Sequence, residues 1–246
     1  MKFTCKVLFL LLLFLFFSIS AFSELKNNPL SALVYNGKYA DADASEAVAK
    51  LAAKFKLDVK YFSNPDQIVK NLTNTKMIII GGTQDNIEPL IKSFTPDIIK
   101  AIKEFLNHGG RYLGICGGAY LASTGWEEDS GFVKALGLLP VETDSYSSDP
   151  EPKVISVRWK NVPRTIYYQF GPNFFPDDTS GTKIIARYDD GSIAACMGKA
   201  GNGKVYLCGP HPEADDTWIE DDMENASSWK PTIDLADDMM KDILKD

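Results

Sequence analysis

The sequence predicts an α/β fold, a doubly wound and mostly parallel sheet with antiparallel additions in its second half. Three observations carry this. Strand-like and helix-like segments alternate from Ser31 to Ile115, the order of a parallel sheet with crossover helices. The run Met77 to Ile80 is continuously apolar and β-branched over its last three residues, as in a strand buried on both faces. After Gly131 the strand-like runs are separated by turns, with no helical segment long enough to cross over, so these strands are expected to pair antiparallel.

The elements follow in order. "SALVYNG" (31 to 37) is a short apolar strand ended by Asn-Gly, and "DASEAVAKLAAKF" (43 to 55) repeats apolar residues at helical spacing, with Ala47, Leu51 and Phe55 on one side. "DVKYFS" (58 to 63) and "KMIIIGG" (76 to 82) are the second and third strands. "TPDIIKAIKEFLNHGG" (95 to 110) opens with a threonine cap and proline at the first helical position and closes on glycine. "RYLGI" (111 to 115) is the fourth strand. Strand-like runs then fall at 154 to 159, 165 to 170, 183 to 188, 192 to 197 and 204 to 209. The last of them delivers "GPHPEADD", and "TIDLADDMMKDILKD" (232 to 246) reads as an acidic amphipathic helix. Ligands of such a sheet are expected beyond the C-terminal ends of its parallel strands.

Residues 1 to 23 read as an export signal. Lys2 and Lys6 give a basic start, Val7 to Ile19 is apolar apart from Ser18, and Ala21-Phe22-Ser23 offers small residues for cleavage. The apolar stretch is about 13 residues, short of the roughly 20 that span a bilayer. Cys5 precedes it, which argues against lipidation at the cleavage point. The expectation is an exported chain, periplasmic or secreted, with residues 24 to 246 as a single domain and no membrane contact after signal removal. Losing the two lysines moves the formal net charge from -7 to -9, a surface that repels nucleic acid and anionic lipid.

Three cysteines remain beyond the signal: Cys116, Cys196 and Cys208. Cys196 and Cys208 flank a predicted hairpin around "AGNG", compatible with a cross-hairpin disulfide or with two small buried thiols. Cys116 is left over. It stands in "GGRYLGICGGAYLAS", after a strand, before Gly117-Gly118 and a helix-compatible segment. Packing, a disulfide, a metal site and a nucleophile all remain open for a cysteine there. A tight strand-to-helix turn of this kind exposes one side chain above the sheet in a strained backbone, and glycines beside it avoid a Cβ clash. The start of a helix also favours a thiolate.

A thiol nucleophile needs a base held by a carboxylate or amide. The sequence has two histidines. His108, in "NHGG" at a helix end, reads as a structural cap. His211 follows a buried strand and is followed by Pro212 and Glu213, so a strand end places it on the rim with Cys116 if the two strands run parallel.

Cys116 in "GICGG" with His211 and Glu213 in "HPE" resembles the class I glutamine amidotransferase pattern. More narrowly, "LVYNG", "MIIIGG", "NHGGRYLGICGGAYLAS", "YYQFGPNF" and "GKVYLCGPHPE" resemble, in order and spacing, the family named after the N-terminal domain of biotin-protein ligases. The resemblance covers roughly residues 31 to 215. It implies a flavodoxin-like sheet, with Cys116 as nucleophile, His211 as base and Glu213 as the orienting acid. It also implies that the N-H groups of Gly82 and Gly117 form the oxyanion hole, since a tetrahedral oxyanion needs two donors aimed at one point. Asn36, Tyr120, Tyr168 and Gln169 are the expected substrate contacts. Many relatives have alanine where Gly117 stands and proline where Ile80 stands. No biotin-ligase or synthetase domain is recognisable in these residues, so the resemblance carries no biotin-ligase function.

The expected activity is a thiol-dependent amide hydrolase, of glutaminase or γ-glutamyl hydrolase type, acting on a small-molecule amide without cofactor. The alternative is an inactive relative that keeps the cleft as a binding module. Cysteine redox or deglycase-like chemistry is weaker, since neither requires His211 and Glu213. No metal is expected: the acidic pairs at Asp177, Asp178, Asp215, Asp216, Asp221 and Asp222 match no calcium loop, and the cysteines lack zinc spacing. Loops at 36 to 42, 83 to 89, 143 to 152 and 169 to 178 are the expected specificity elements.

Overall fold

The computed structural model describes residues 30–177, 181–219 and 223–245. The export signal read at 1 to 23 lies outside them, as do Asp178, Asp221 and Asp222.

The sheet grows outward from five parallel strands in the order β2-β1-β3-β4-β13. These are β1 (Ser31–Tyr35), β2 (Asp58–Phe62), β3 (Thr75–Ile80), β4 (Arg111–Ile115) and β13 (Gly203–Cys208). This is the flavodoxin-like order, with a topological switch between β1 and β3. The fifth parallel strand comes from the far end of the chain, an exception to the antiparallel pairing expected there. Its register sets Cys208 opposite Ile115, which lays the two strand ends side by side.

The sheet continues from β13 through β12 (Ile193–Ala200), β10 (Pro172–Pro176), β7 (Val141–Ser145), β5 (Gly125–Glu128) and β6 (Gly131–Lys134), each pair antiparallel except β7 with β5, which meet in parallel at Glu142 and Gly125. A branch of β11 (Lys183–Tyr188), β8 (Lys153–Trp159) and β9 (Val162–Tyr168) leaves from β12. Sequence pattern missed β5, β6, β7 and β10. Each is five residues or fewer, and β10 carries a proline at both ends, which weakens any strand reading.

Helices cover both faces. On one side α1 (Ala42–Lys54) and the C-terminal α6 (Ile233–Leu244) bury Val48, Leu51, Ala52, Leu235, Met239, Met240 and Ile243 against the sheet. On the other lie α2 (Asp66–Asn71), α3 (Glu88–Ser93), α4 (Pro96–Asn107) and α5 (Gly117–Ala122), led by Ile98, Ile102 and Leu106. The buried stripe of α1 runs through Ala44, Val48, Leu51 and Ala52; of the predicted face Leu51 is buried, Phe55 packs half-buried against the same core, and Ala47 is half-buried.

Caps fix the helix starts. The Asp41 carboxylate accepts from Ala44 N-H at 2.8 Å, and Thr95 Oγ1 accepts from Ile98 N-H ahead of Pro96. At the end of α4 the His108 ring bonds the Glu104 carbonyl at 2.7 Å, a structural cap. The acids of α6 are tied inward: Arg164 forks onto Asp234, Lys160 reaches Asp238 and Asp242, and Trp159 Nε1 donates to Asp238.

The predicted hairpin exists as β12 and β13, with both thiols free. Ala195 faces Cys208, and Cys196 faces Leu207. Neighbouring positions on a strand point to opposite faces, so Cys196 packs with one core and Cys208 with the other. The cross-hairpin disulfide is thereby replaced by two separate buried thiols.

Candidate active site

Cys116 is where β4 turns into α5. Its φ of +50° lies in the left-handed region, and its ψ is -112°, a strained conformation for a residue with a Cβ. The turn is held by close backbone packing. A Cβ on Gly118 would lie 1.9 Å from the Ile80 carbonyl oxygen, and one on Gly117 would lie 1.9 Å from Thr83 Oγ1. With no side chain in the way, Gly118 N-H donates to the Gly81 carbonyl at 3.0 Å and Tyr112 Oη donates to the Gly118 carbonyl at 2.9 Å. Cys116 N-H donates to the Cys208 carbonyl at 2.9 Å, locking the elbow to the end of β13.

Three residues after that carbonyl stands His211. Its N-H donates to the Tyr167 carbonyl at 2.9 Å, and its Nδ1 lies 2.9 Å from Glu213 Oε1. Both side chains are buried, at 4% and 3% exposure. Glu213 Oε2 has no other hydrogen-bond partner among the described residues, so the carboxylate is committed to the imidazole. Burial opposes the imidazolium, but the Glu213 carboxylate and the neighbouring Cys116 sulfur outweigh it. His211 is raised from its ordinary value to about 10. The Cys116 thiol also points at the Gln169 carbonyl, 3.5 Å away.

Above these groups opens a cavity of about 1090 Å³ at the C-terminal rim of the parallel strands. Cys116, Gly117, Gly82 and His211 lie on its wall. The amides of Gly82 and Gly117 have no backbone acceptor among the described residues. A Cβ on Gly82 would come within 3.2 Å of His211 Cε1, which places that backbone directly beside the imidazole.

Of the expected substrate contacts, Tyr120 and Gln169 line the cavity, while Asn36 and Tyr168 do not. Asn36 is exposed, with its N-H tied to the Phe62 carbonyl, because the chain turns there and reaches the cavity only from Ala40 on. Tyr168 is wholly buried behind the wall, where its hydroxyl accepts from Ser147 N-H and donates to the Gly171 carbonyl. Tyr167 takes its place, with its hydroxyl 3.2 Å from Gln169 Oε1. Residues two apart on a strand share a face, so pairing Tyr167 with Gln169 was available from the sequence.

Trp126 and Trp218 were also missed. Trp126 meets the Tyr120 ring edge-on at 5.4 Å, and Trp218 sits 5.3 Å from the His211 ring and 5.2 Å from Tyr167. Trp126 lies in the four-residue β5 and Trp218 in a single 3-10 turn, both too short to carry a periodic signal. Phe170, on the same rim, has a φ of +51°, a second strained position beside the nucleophile. Asp215, read as surface, caps a short turn by accepting from Thr217.

A strained cysteine between β4 and α5, a histidine and glutamate after β13, and the parallel order β2-β1-β3-β4-β13 are the features of a class I glutamine amidotransferase-like fold. Comparison with known proteins supports that superfamily assignment. Residues 46–155 match the CobB/CobQ-like glutamine amidotransferase domain family. The chain is 27% identical over 164 residues to the biotin-protein ligase of Schizosaccharomyces pombe, covering 57% of this chain and 26% of the ligase. It is 31% identical over 132 residues to an uncharacterized protein of Chlamydia muridarum, covering 46% of this chain and 51% of that one. The chain thus spans about a quarter and about half of the length of these two relatives. The fold is also that of a glutamine amidotransferase from Thermotoga maritima, with a TM-score of 0.57 at 13% identity over 89% of this chain and 98% of that one.

Proposed function

We propose that the chain is a thiol-dependent amide hydrolase of the glutamine amidotransferase-like type, acting on side-chain amides of glutaminase or γ-glutamyl kind. Cys116 Sγ attacks the carbonyl carbon, and His211 takes the thiol proton. The oxyanion is received by the N-H groups of Gly82 and Gly117. His211 then gives its proton to the departing amine as the C-N bond breaks, leaving a thioester on Cys116. Water, deprotonated by His211, releases the acid and restores the thiol. Glu213 holds the ring and stabilises its charged form throughout.

The observation that carries this reading is the meeting of Cys116, His211 and Glu213 at the joined ends of β4 and β13, with a buried 2.9 Å contact between histidine and carboxylate. Hydrolysis is favoured over ammonia transfer because export, read from residues 1 to 23, puts the chain where ATP is scarce. Biotin-ligase activity is not carried over, since the match spans 26% of the ligase.

The test is the pH dependence of Cys116 alkylation by iodoacetamide, beside His211→Ala and Cys116→Ser, with sites read by mass spectrometry. The reading predicts fast reaction well below pH 8 and a slowing of at least about tenfold in His211→Ala. An ordinary thiol, indifferent to His211, overturns the enzyme and leaves a binding module with the same cleft.

A further inference from the structure

We propose that the substrate is an amide of net positive charge, with an ammonium group and no free carboxylate, recognised by carboxylates on both flanks of the Cys116 cavity. This rests on the amide-hydrolase reading and, within it, turns the substrate away from glutamine and γ-glutamyl amides that keep an α-carboxylate. On the β1 and β3 side of the nucleophile the wall carries Asp41, Asp43, Asp85 and Glu88. On the other side, reached through β5 and β7, it carries Glu127, Glu128 and Asp144. No lysine or arginine lines the cavity among the described residues.

Some of these acids have local work. Asp41 caps α1, Glu88 pairs with Lys92 at 2.6 Å, and Glu128 accepts from Trp126 Nε1. Asp43, Asp85, Glu127 and Asp144 have no ion-pair partner among the described residues. No three acids, histidines or cysteines there are grouped closely enough to hold a metal ion, so the field is spread over the cavity, as suits an organic cation. The same wall presents the rings of Tyr120, Trp126, Tyr167 and Trp218, which attract an ammonium through their faces.

An anionic substrate meets the opposite. The nearest cationic group is His211, already committed to Glu213. A free carboxylate in the cavity would find hydroxyls of Thr83, Ser145 and Thr217 but no fixed cation. Like-signed walls in a cleft concentrate counter-ions and repel co-ions, so glutamine, with its α-carboxylate, is a poorer fit than an amide whose acyl part or departing amine is positively charged.

The experiment compares two thiol reagents of the same reaction and opposite charge, trimethylammonium-ethyl and sulfonato-ethyl methanethiosulfonate, on the wild-type chain, with glutathione as the reference for their intrinsic rates. Cys196 and Cys208 are both at 0% exposure, so Cys116 is the accessible thiol of the described residues. At low ionic strength, about 20 mM, the cationic-to-anionic rate ratio should exceed that of glutathione by at least about tenfold. It should fall toward the glutathione value at about 500 mM salt. The combined Asp85→Asn, Glu127→Gln, Asp144→Asn variant should lower the low-salt ratio at least about threefold. A low-salt ratio within about twofold of glutathione, or one unchanged by salt, overturns the proposal whether or not the variant folds. These reagents also modify ordinary thiols. An iodoacetamide rate indifferent to His211 therefore removes the hydrolase reading while the charge ratio stays readable, and a flat ratio with an activated thiol removes the cationic substrate alone.

Discussion

His211 Nδ1 and Glu213 Oε1 stand 2.9 Å apart in a buried pair whose second carboxylate oxygen has no other partner among the described residues. Removing the charge while keeping the shape should therefore act on Cys116 through the imidazole. In Glu213→Gln, burial of the ring is no longer opposed by a carboxylate, so His211 shifts downward. Cys116 alkylation at pH 7 should slow by about tenfold or more. Unchanged alkylation rates across pH 6 to 9 would show that Glu213 is only a packing partner.

The raised His211 also makes a stability prediction. Its folded value of about 10 exceeds the unfolded value of about 6.5. In Cys116→Ser, where no thiol supplies it, the proton on His211 between these limits is one that the unfolded chain has lost, so stability falls as pH rises. The contribution is complete below about pH 6.5 and gone above about pH 10, with a slope of at most about 1.4 kcal/mol per pH unit. Urea unfolding of Cys116→Ser beside the double variant Cys116→Ser, His211→Asn should show the advantage of the histidine shrinking over this window. Parallel curves would mean that the histidine is neutral in the folded state.

At the elbow, Gly118→Ala would put a Cβ 1.9 Å from the Ile80 carbonyl oxygen. Backbone cannot rotate aside as a side chain can, so α5 must lift from β3. A loss of about 1–3 kcal/mol or more is expected, together with loss of Cys116 activation. Thermal unfolding and iodoacetamide kinetics on the same variant measure both.

Tyr167 and Tyr168 should separate site from scaffold. Tyr168→Phe removes a buried hydroxyl that bonds Ser147 N-H and the Gly171 carbonyl, and should cost about 1–2 kcal/mol of stability without changing Cys116 reactivity. Tyr167→Phe removes the contact with Gln169. It should leave stability nearly unchanged and alter KM for any amide found to be cleaved. The reverse pattern would restore Tyr168 as the substrate contact.

Much of this protein is legible in its amino-acid sequence because the signals are local. Ile78 to Ile80 announce a strand buried on both faces, Thr95-Pro96 announces a helix start, and Gly117-Gly118 after Cys116 announces a turn too tight for a Cβ. Each follows from residue volume, backbone freedom or capping within a few positions, so the parallel sheet and the elbow at Cys116 can be read directly, while His211 and Glu213 are singled out by the resemblance of "HPE" to the amidotransferase pattern. The return of β13 to the centre of the sheet cannot. Its pairing with β4 joins segments some ninety residues apart, and only long-range packing decides it. The same holds for which of two adjacent tyrosines faces the cavity, since a one-residue change of register exchanges wall for core. It holds as well for the carboxylates from Asp41 to Asp144. They lie on four separate segments, and their shared field around Cys116 exists only once the sheet has brought those segments together.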